Sequence, residues 1–366
     1  PFAGGSGHSD GVGFLAAARP LGYVTASSGK GRSMASSSNL RTGGQVLIDA
    51  LKIHGVDTVF CVPGESYLAA LDALHDAPEI RLIVCRQEGG AAYMAEAYGK
   101  MTGRPGICFV TRGPGATNAS IGVHTAFQDS TPMILFIGQV ARDQVEREAF
   151  QEIDFRRMYG PLTKWVAEID DAARIPEYVS QAFHRAVNGR PGPVVLALPE
   201  DMLTDRVDVP DSGRYKPVHP SPSTAQMHDL RDRLDEAKRP FMIMGGGGWS
   251  AEAVADIRTF AEAAYLPVGC SFRCQDLFDN SHQNYAGDVG IGINPKLAER
   301  VKASDLLIVL GARLGEITTS GYGLIGGPVP AQRLVHIYPE ADELGRFYHA
   351  ELMINATMPA MTRALE

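Results

Sequence analysis

The chain has no excess of basic residues. Its 366 residues include 34 Lys and Arg against 42 Asp and Glu, which gives a formal net charge of −8. Nucleic-acid-binding domains usually carry a basic face, and adhesion to anionic membranes also needs positive charge. The chain also lacks an apolar run of the roughly 20 residues that a membrane span requires. We therefore expect neither a nucleic-acid partner nor a membrane partner.

Cysteine is scarce as well. The five cysteines are Cys61, Cys85, Cys108, Cys270 and Cys274. An odd number without a framework of pairs argues against a disulfide scaffold and favours a reducing compartment, so we expect a cytoplasmic protein. Only Cys270 and Cys274 are close in sequence, and without a second pair they make a weak zinc pattern. We expect no metal ligands in this chain.

The first residues have little that could form a core. Residues 1–33 are rich in Gly, Ala and Ser, contain one acidic residue, Asp10, and show no periodic apolar pattern. Met34 followed by Ala-Ser-Ser-Ser resembles a natural start, and the composition also fits a transit peptide. We expect residues 1–40 to be disordered or non-native.

From Thr42 onward the pattern alternates between helices and short apolar strands. Hydrophobic residues make up 45% of the chain, enough for ordinary cores, and the length predicts two domains. Strands are predicted at 58–62, 82–85, 107–111, 133–137 and 194–198, and then at 241–244, 267–271, 305–310 and 334–338. Continuous apolar strands separated by helices indicate parallel sheets covered on both faces. We predict an α/β protein with two doubly wound parallel-sheet domains, at 41–205 and 226–366, joined by a proline-rich linker at 206–225.

Three stretches have residues suited to chemistry. Glu88 follows an apolar strand and opens a helix whose next four residues are Gly and Ala, so it is either a capping acid or a group that a ligand approaches closely. The run Gly113-Pro-Gly-Ala-Thr-Asn118 joins a strand to a helix near Asn118, and is either a ligand-binding turn or an ordinary one. The run Gly245–Gly248 resembles a dinucleotide-binding loop without its downstream acid, and tight helix–sheet packing explains it equally well.

Six motifs in order resemble the pyrimidine-binding domain of acetolactate (acetohydroxyacid) synthases. They are Val62-Pro-Gly64, Arg86-Gln-Glu88, Gly113–Asn118, Gly138-Gln-Val140, Ala149-Phe-Gln-Glu152 and Gly189–Val194. The second unit, with Gly245–Gly248 and Leu310-Gly-Ala-Arg-Leu314, resembles the central domain of these enzymes. The resemblance runs from about residue 42 to residue 366. It implies two domains of a thiamine-diphosphate-dependent enzyme.

The resemblance also implies roles for particular residues. In this family the glutamate that matches Glu88 hydrogen-bonds the aminopyrimidine ring of thiamine diphosphate and takes part in proton transfer. The match places Phe150 and Gln151 on the substrate side. It implies a cofactor pocket formed by Pro63, Gly64, Glu65, Glu88, Gly113, Pro114 and Asn118, and a possible FAD site with Arg190, Gly246 and Gly247. The family has glycine at the position of Glu65, so this chain departs from the synthases by a carboxylate near the pocket.

The family also binds the cofactor's diphosphate through Mg²⁺ in a third domain, and no run of this sequence matches it. We therefore expect one part of an enzyme acting on 2-keto acids by decarboxylation and acyl transfer, incomplete without that domain and assembled as a homo-oligomer. Two alternatives to this interpretation remain open. The first is an inactive, truncated nucleotide-binding or regulatory module. The second is part of a related enzyme, which is a decarboxylase of 2-keto acids or acyl-CoA or an acyltransferase of the sulfoacetaldehyde type.

Overall fold

A computed structural model describes residues 40–366, which form one compact unit. The expectation for residues 1–39 lies outside the described residues. The first domain has strands β1 (Arg41–Thr42), β2 (Thr58–Cys61), β3 (Arg81–Val84), β4 (Gly106–Val110), β5 (Met133–Gln139), β6 (Trp165–Glu168), β7 (Pro193–Pro199) and β8 (Arg206–Val207). Its helices are α1 (Gly43–Ile53), α2 (Leu68–His75), α3 (Glu88–Thr102), α4 (Gly113–Asp129), α5 (Phe155–Tyr159) and α6 (Ile175–Val187).

The first sheet has six parallel strands in the order β3-β2-β4-β5-β7-β6. Every residue of β5 and β7 is buried, because helices cover both faces. One core contains Val46 of α1 and Val179 of α6, while the other contains Ala91 of α3 and Ala119 of α4. The short strands β1 and β8 pair antiparallel beside this sheet.

The second domain repeats this architecture. Its strands are β9 (Pro240–Met244), β10 (Val268–Ser271), β11 (Tyr285–Val289), β12 (Leu306–Leu310), β13 (Arg333–Tyr338) and β14 (Leu352–Asn355), in the parallel order β11-β10-β9-β12-β13-β14. Its helices are α7 (Thr224–Glu236), α8 (Ala251–Ala263), α9 (Pro295–Lys302) and α10 (Met358–Leu365). The two parallel sheets confirm the predicted fold class.

One predicted helix boundary was wrong. We expected a turn through Gly113-Pro114-Gly115 and a helix from near Asn118, but α4 begins at Gly113. Proline is compatible with the first turn of a helix, because an N–H group at that position would have no carbonyl acceptor within the helix. The Gly-Pro-Gly run is therefore the helix start itself.

Residues 208–223 contain no helix or strand and return to the first domain at His54. The backbone N–H of Tyr215 donates to His54 Nδ1 at 3.1 Å, and the His54 ring stacks on Phe183 with ring centroids 4.5 Å apart. Burial, together with the nearby charges of His184 and Arg214, lowers the pKa of His54 to about 4. The domain boundaries at 205 and 226 stay a prediction.

The pKa of His54 predicts a pH-dependent loss of stability. Between its ordinary value of 6.5 and about 4, the unfolded chain takes up a proton on His54 that the folded chain does not. The free energy of unfolding should therefore fall by about 2 kcal/mol from this group between pH 7 and pH 4.5. Urea unfolding at both pH values would measure this change in the wild type and in the control variant His54→Asn. The asparagine side chain can still accept from the Tyr215 N–H but does not titrate. Equal pH dependence in the two proteins would contradict the assignment.

Candidate active site

The candidate site lies where the strands of the first sheet end. Glu65 follows β2, Glu88 follows β3 and Gly113 follows β4. In open parallel sheets, ligands bind beyond the carboxyl ends of the strands, because the loops there converge and helix starts offer free N–H groups. The structure therefore brings three of the sequence motifs to one edge.

Glu88 is the first residue of α3, but the capping role belongs to its neighbour. Gln87 is the N-cap, and its side-chain oxygen accepts from the backbone N–H of Gly90 at 2.8 Å. Glu88 is half-buried, and its Oε2 accepts from Asn118 Nδ2 at 2.9 Å. A helix start stabilises negative charge. The Glu88 carboxylate is thus held at the sheet edge but does not itself cap α3.

The start of α4 faces the same carboxylate. A Cβ atom on Gly115 would lie 3.5 Å from Glu88 Oε1, which shows how closely the two helix starts approach. Asn118, one turn further along α4, is exposed and supplies the hydrogen bond to the other oxygen. Pro114 is exposed at the helix start. A ligand bound against Glu88 would therefore also meet α4.

The turn after β2 is fixed against the end of β4. A Cβ atom on Gly64 would lie 2.6 Å from Thr111 Cβ, so the contact requires glycine. Ser66 Oγ and Thr111 Oγ1 are 2.8 Å apart and share a hydrogen bond. Pro63 and Glu65 are exposed, and no hydrogen bond or ion pair of the Glu65 side chain is found among residues 40–366. The Glu65 carboxylate is thus free at the rim.

Phe150 and Gln151 lie in a loop that the end of β4 holds in place. The backbone N–H of Gly113 donates to the carbonyl of Gln151 at 3.0 Å, and Arg112 Nη1 donates to the carbonyl of Phe150 at 3.4 Å. Gln151 has a φ of 66°, a conformation that costs a non-glycine residue energy and that the surrounding contacts must maintain. Phe150 is 70% exposed. The loop therefore presents an aromatic side chain and an amide beside the start of α4.

Sequence reasoning missed Arg112, which is 8% exposed and ion-paired through Nη2 with Glu200 after β7. Its partners lie 38 and 88 residues away in sequence, so no local pattern indicates the pair. Glu152 was recognised only as part of a motif, without a role; its carboxylate accepts from the backbone N–H groups of Glu146 and Ala149, at 2.6 and 3.1 Å. These residues position the loop and do not themselves form the candidate site.

Removal of Arg112 should loosen this loop. Arg112→Met keeps much of the side-chain volume but leaves Glu200 without its partner and the Phe150 carbonyl without its donor. Because Glu200 is partly exposed, we expect a loss of about 2 kcal/mol in the free energy of unfolding, below the range for a fully buried pair. Urea unfolding would measure it against Arg157→Met, which breaks an exposed pair with Asp154 and should change stability by less than about 1 kcal/mol. A loss no larger than that of the control would contradict the assigned role.

Arg190, Gly246 and Gly247 form a second group, away from Glu88. Arg190 Nε donates to Ser130 Oγ at 2.8 Å, and burial lowers the Arg190 pKa. A Cβ atom on Gly247 would lie 3.6 Å from the Ser130 carbonyl oxygen, so the loop after β9 reaches the same place. Gly246 has a φ of 70° and packs against the Gly311 carbonyl. Helix α4 connects Asn118, which contacts Glu88, with Ser130, which contacts Arg190. Because an α-helix rises 1.5 Å per residue, these two residues lie about 18 Å apart along the helix.

Within residues 40–366, no group of three or more His, Cys, Asp or Glu side chains is arranged to hold a metal ion. No helix in the same range is long and apolar enough to cross a membrane.

Comparison with known families decides the identity of the two domains. Residues 41–158 match the thiamine pyrophosphate enzyme N-terminal TPP binding domain, and residues 227–365 match the thiamine pyrophosphate enzyme central domain. The chain belongs to the thiamine pyrophosphate enzyme family. The predicted resemblance is thereby confirmed for both domains.

Among curated relatives, acetolactate synthase large subunits are similar to this chain. The Corynebacterium glutamicum subunit is 32% identical over 92% of this chain and 54% of its own length. The Parasynechococcus marenigrum subunit is 34% identical over 86% of this chain and 52% of its own length. The large subunit of acetolactate synthase isozyme 2 from Escherichia coli is 30% identical over 88% and 58%. The chain thus spans about half the length of the curated relatives it matches.

Proposed function

We propose that this chain supplies the pyrimidine-binding half of a thiamine-diphosphate-dependent enzyme that acts on 2-keto acids by decarboxylation and acyl transfer. The observation that carries the proposal is the Glu88 carboxylate at the start of α3, held by Asn118 at the carboxyl edge of the sheet. The family membership and the acetolactate synthase relatives support it. The substrate class comes from those relatives and is itself a proposal.

The residues present fit the cofactor's aminopyrimidine ring. One oxygen of Glu88 is fixed by Asn118, which leaves the other for a ring nitrogen, and Gly64 and Gly113 hold the adjoining backbone where a Cβ atom would collide. When bound, thiamine diphosphate supplies a carbon nucleophile and accepts the electrons released by decarboxylation. Glu88 would hold and release the proton on the pyrimidine nitrogen, acting as a general acid and base.

The other site residues would shape the pocket and orient the substrate. Pro63 and Gly64 would line one side of the ring, and Gly113 and Pro114 the other. Phe150 would exclude water from the substrate side, and the amide of Gln151 would hydrogen-bond the substrate. Mg²⁺ and the diphosphate would be held by a further domain, as the greater length of the relatives suggests.

The direct test is an assay of the complete protein with thiamine diphosphate, Mg²⁺ and pyruvate or another 2-keto acid. We expect cofactor-dependent release of CO₂, with acetolactate or another acyl-transfer product. Release of CO₂ with an aldehyde product would favour the related decarboxylases. A folded complete protein that neither binds the cofactor nor turns over any 2-keto acid would leave the regulatory-module alternative.

The Arg190 group suits a nucleotide, and we propose FAD as its ligand. Arg190, Ser130 and Gly247 meet where the two domains adjoin, and the free backbone of a glycine loop allows close approach of a diphosphate. Visible absorbance of the purified complete protein would test it. A flavin spectrum that is lost in Arg190→Met would support the proposal, and a colourless, active wild-type enzyme would contradict it.

We further propose that the protein is a cytoplasmic homo-oligomer. All five cysteines are free thiols, which suits a reducing compartment. Near Glu88, Tyr93 and Met94 on α3 and Ile121 on α4 are exposed by 41%, 43% and 53%. Neighbouring exposed apolar side chains of this kind mark association surfaces.

Charge placed on this surface should dissociate the oligomer. Met94→Glu puts a carboxylate among apolar side chains, and its desolvation should weaken self-association at least about tenfold. Sedimentation velocity at micromolar concentration would measure the change, with Val218→Glu on the exposed linker as the matched control. A wild-type protein that sediments as a monomer would contradict the oligomer itself.

A further inference from the structure

The motif Gly138-Gln-Val140 ends strand β5 beside the candidate site but has no role in the function proposed above. Gln139 is the last residue of β5 and is 3% exposed. A buried amide needs partners for its donors and its acceptor, because burial removes the water that would otherwise bind them. The partners of Gln139 therefore show what this side chain holds in place.

The Gln139 amide can be placed in only one orientation. Its Oε1 accepts from the backbone N–H of Val140 at 2.9 Å, and its Nε2 donates to the carbonyl of Ile153 at 2.9 Å. A backbone N–H only donates and a carbonyl only accepts, so a reversed amide would set like groups against each other. The half-buried carboxylate of Glu168 requires the same orientation: burial raises the Glu168 pKa, and a hydrogen bond from Gln139 opposes that rise. Gln139 is thus a fixed donor toward Ile153.

This donor holds the loop that carries Phe150 and Gln151. The carbonyls of Phe150 and Gln151 are bound from the end of β4. The carbonyl of Ile153, two residues further along, is bound from the end of β5 by Gln139. Strands β4 and β5 are hydrogen-bonded neighbours, so both sets of contacts come from one edge of the sheet. Gln139 fixes the backbone between Gln151 and helix α5.

The loop needs such contacts because its backbone is strained. Glu146, Glu148 and Gln151 have φ values of 61°, 53° and 66°, in the left-handed region that residues other than glycine usually avoid. Such conformations persist only where the surrounding contacts maintain them. Loss of the Ile153 contact should therefore let the backbone at Gln151 relax and carry its side chain away from its place.

The end of β5 is itself held firmly. A Cβ atom on Gly138 would lie 2.1 Å from Ser66 Oγ, so this strand packs directly on the turn after β2. The carbonyl of Gln139 accepts from the backbone N–H of Glu200, after β7, at 3.1 Å. Contacts with the ends of two other strands thus fix the point from which Gln139 reaches the loop.

We propose that Gln139 is a positioning residue for the substrate, which keeps Gln151 on the substrate side of the site by holding the Ile153 carbonyl. This inference rests on the proposed function, in which the Gln151 amide hydrogen-bonds the 2-keto acid. Gln139 is buried behind the loop and acts only through it. Its loss weakens substrate binding, while the cofactor ring and the proton transfer at Glu88 stay as they are.

The first test is Gln139→Met in the complete protein, because methionine has a similar volume but no amide. With pyruvate we expect KM to rise about tenfold, as for the loss of one hydrogen bond, and kcat to change by less than about threefold. Exchange of the thiazolium C2 proton of bound cofactor should change by less than about twofold. Gln139→Asn, whose amide is one methylene too short to reach Ile153, should give the same rise in KM. An unchanged KM, or an equal loss in C2 exchange, would overturn the proposal.

Gln332→Met is the matched control. Gln332 is 5% exposed in the second domain, and its Nε2 also donates to a backbone carbonyl, that of Lys302, at 2.8 Å. The control therefore removes the same kind of buried hydrogen bond outside the first domain, and its KM should equal that of the wild type. A similar rise in KM in both variants would show a general loss of stability and would overturn the positioning role.

Hydrogen exchange of the protein without ligands tests the loop independently of activity. The backbone N–H groups of Glu146 and Ala149, which donate to Glu152, should exchange about tenfold faster in Gln139→Met than in the wild type. They should exchange at the wild-type rate in Gln332→Met. Wild-type exchange of the loop in Gln139→Met would overturn the proposal whatever the enzyme assay shows. A failure of the positioning role is thereby distinguished from a failure of the proposed function, which the C2 exchange of the wild type reports.

Discussion

Glu88→Gln in the complete enzyme is expected to lower kcat by about 10²–10⁴-fold, the usual contribution of a general acid–base group. The amide is nearly isosteric with the carboxyl group, and its oxygen can still accept from Asn118 Nδ2. It cannot release and recover a proton. Binding of thiamine diphosphate should weaken less than turnover, because the pocket backbone is unchanged. Steady-state kinetics with pyruvate, together with calorimetric cofactor binding, would separate the two effects.

Glu177→Gln is the matched control for this substitution. Glu177 is also an acidic residue in the first turn of a helix, at the start of α6, and pairs with Arg174 on the surface. If the Glu88 carboxylate only stabilises the helix start by its negative charge, both substitutions should have similarly small effects on kcat. A kcat within a factor of three of wild type in Glu88→Gln would contradict a role in proton transfer.

Gly106→Ala is expected to lower the free energy of unfolding by about 2–3 kcal/mol, at the upper end of the range for overpacking. A Cβ atom on Gly106 would lie 1.8 Å from the carbonyl oxygen of Ala95 in α3. The obstacle is backbone, so α3 must move as a whole and cannot rotate a side chain away. Because Glu88 begins this helix, the same shift should weaken cofactor binding.

Gly160→Ala provides the control for Gly106→Ala. Nothing lies within 4 Å of a Cβ atom on Gly160, and its φ of −46° suits alanine. Its stability should stay within about 0.5 kcal/mol of wild type. Urea unfolding followed by circular dichroism would compare the two variants. Equal stabilities would show that α3 and β4 are packed less closely than described.

The sequence predicted the buried strands well and, apart from β3, the edge strands poorly. Strands β5 and β7 lie inside the sheet, where helices cover both faces, and they read as continuous apolar runs. Strands β6, β11 and β14 were missed. They lie at sheet edges and are only partly buried, so their apolar runs are no longer than three residues. Helix α7 was missed as well, because Leu230 is its only buried residue.

The site was predictable as motifs but not as contacts. Glu88 and Asn118 were each identified from the strand-to-helix junctions and from the family resemblance. Their hydrogen bond depends on how α3 and α4 pack across the sheet, which a local pattern cannot encode. The ion pair of Arg112 with Glu200 joins the ends of two strands that are not adjacent in sequence. Such pairs follow from strand order, which the sequence alone leaves open.

Exchange of the thiazolium C2 proton tests the central claim most directly, because it reports proton transfer before any substrate binds. Thiamine diphosphate is bound with Mg²⁺ to the complete wild-type protein and to Glu88→Gln, and the exchange with deuterium is followed by proton NMR. We predict exchange faster than in free cofactor for the wild type, and a rate lower by at least about a hundredfold in the variant. Equal exchange rates in the two proteins would contradict the role of Glu88, and wild-type exchange no faster than in free cofactor would contradict the enzyme assignment itself.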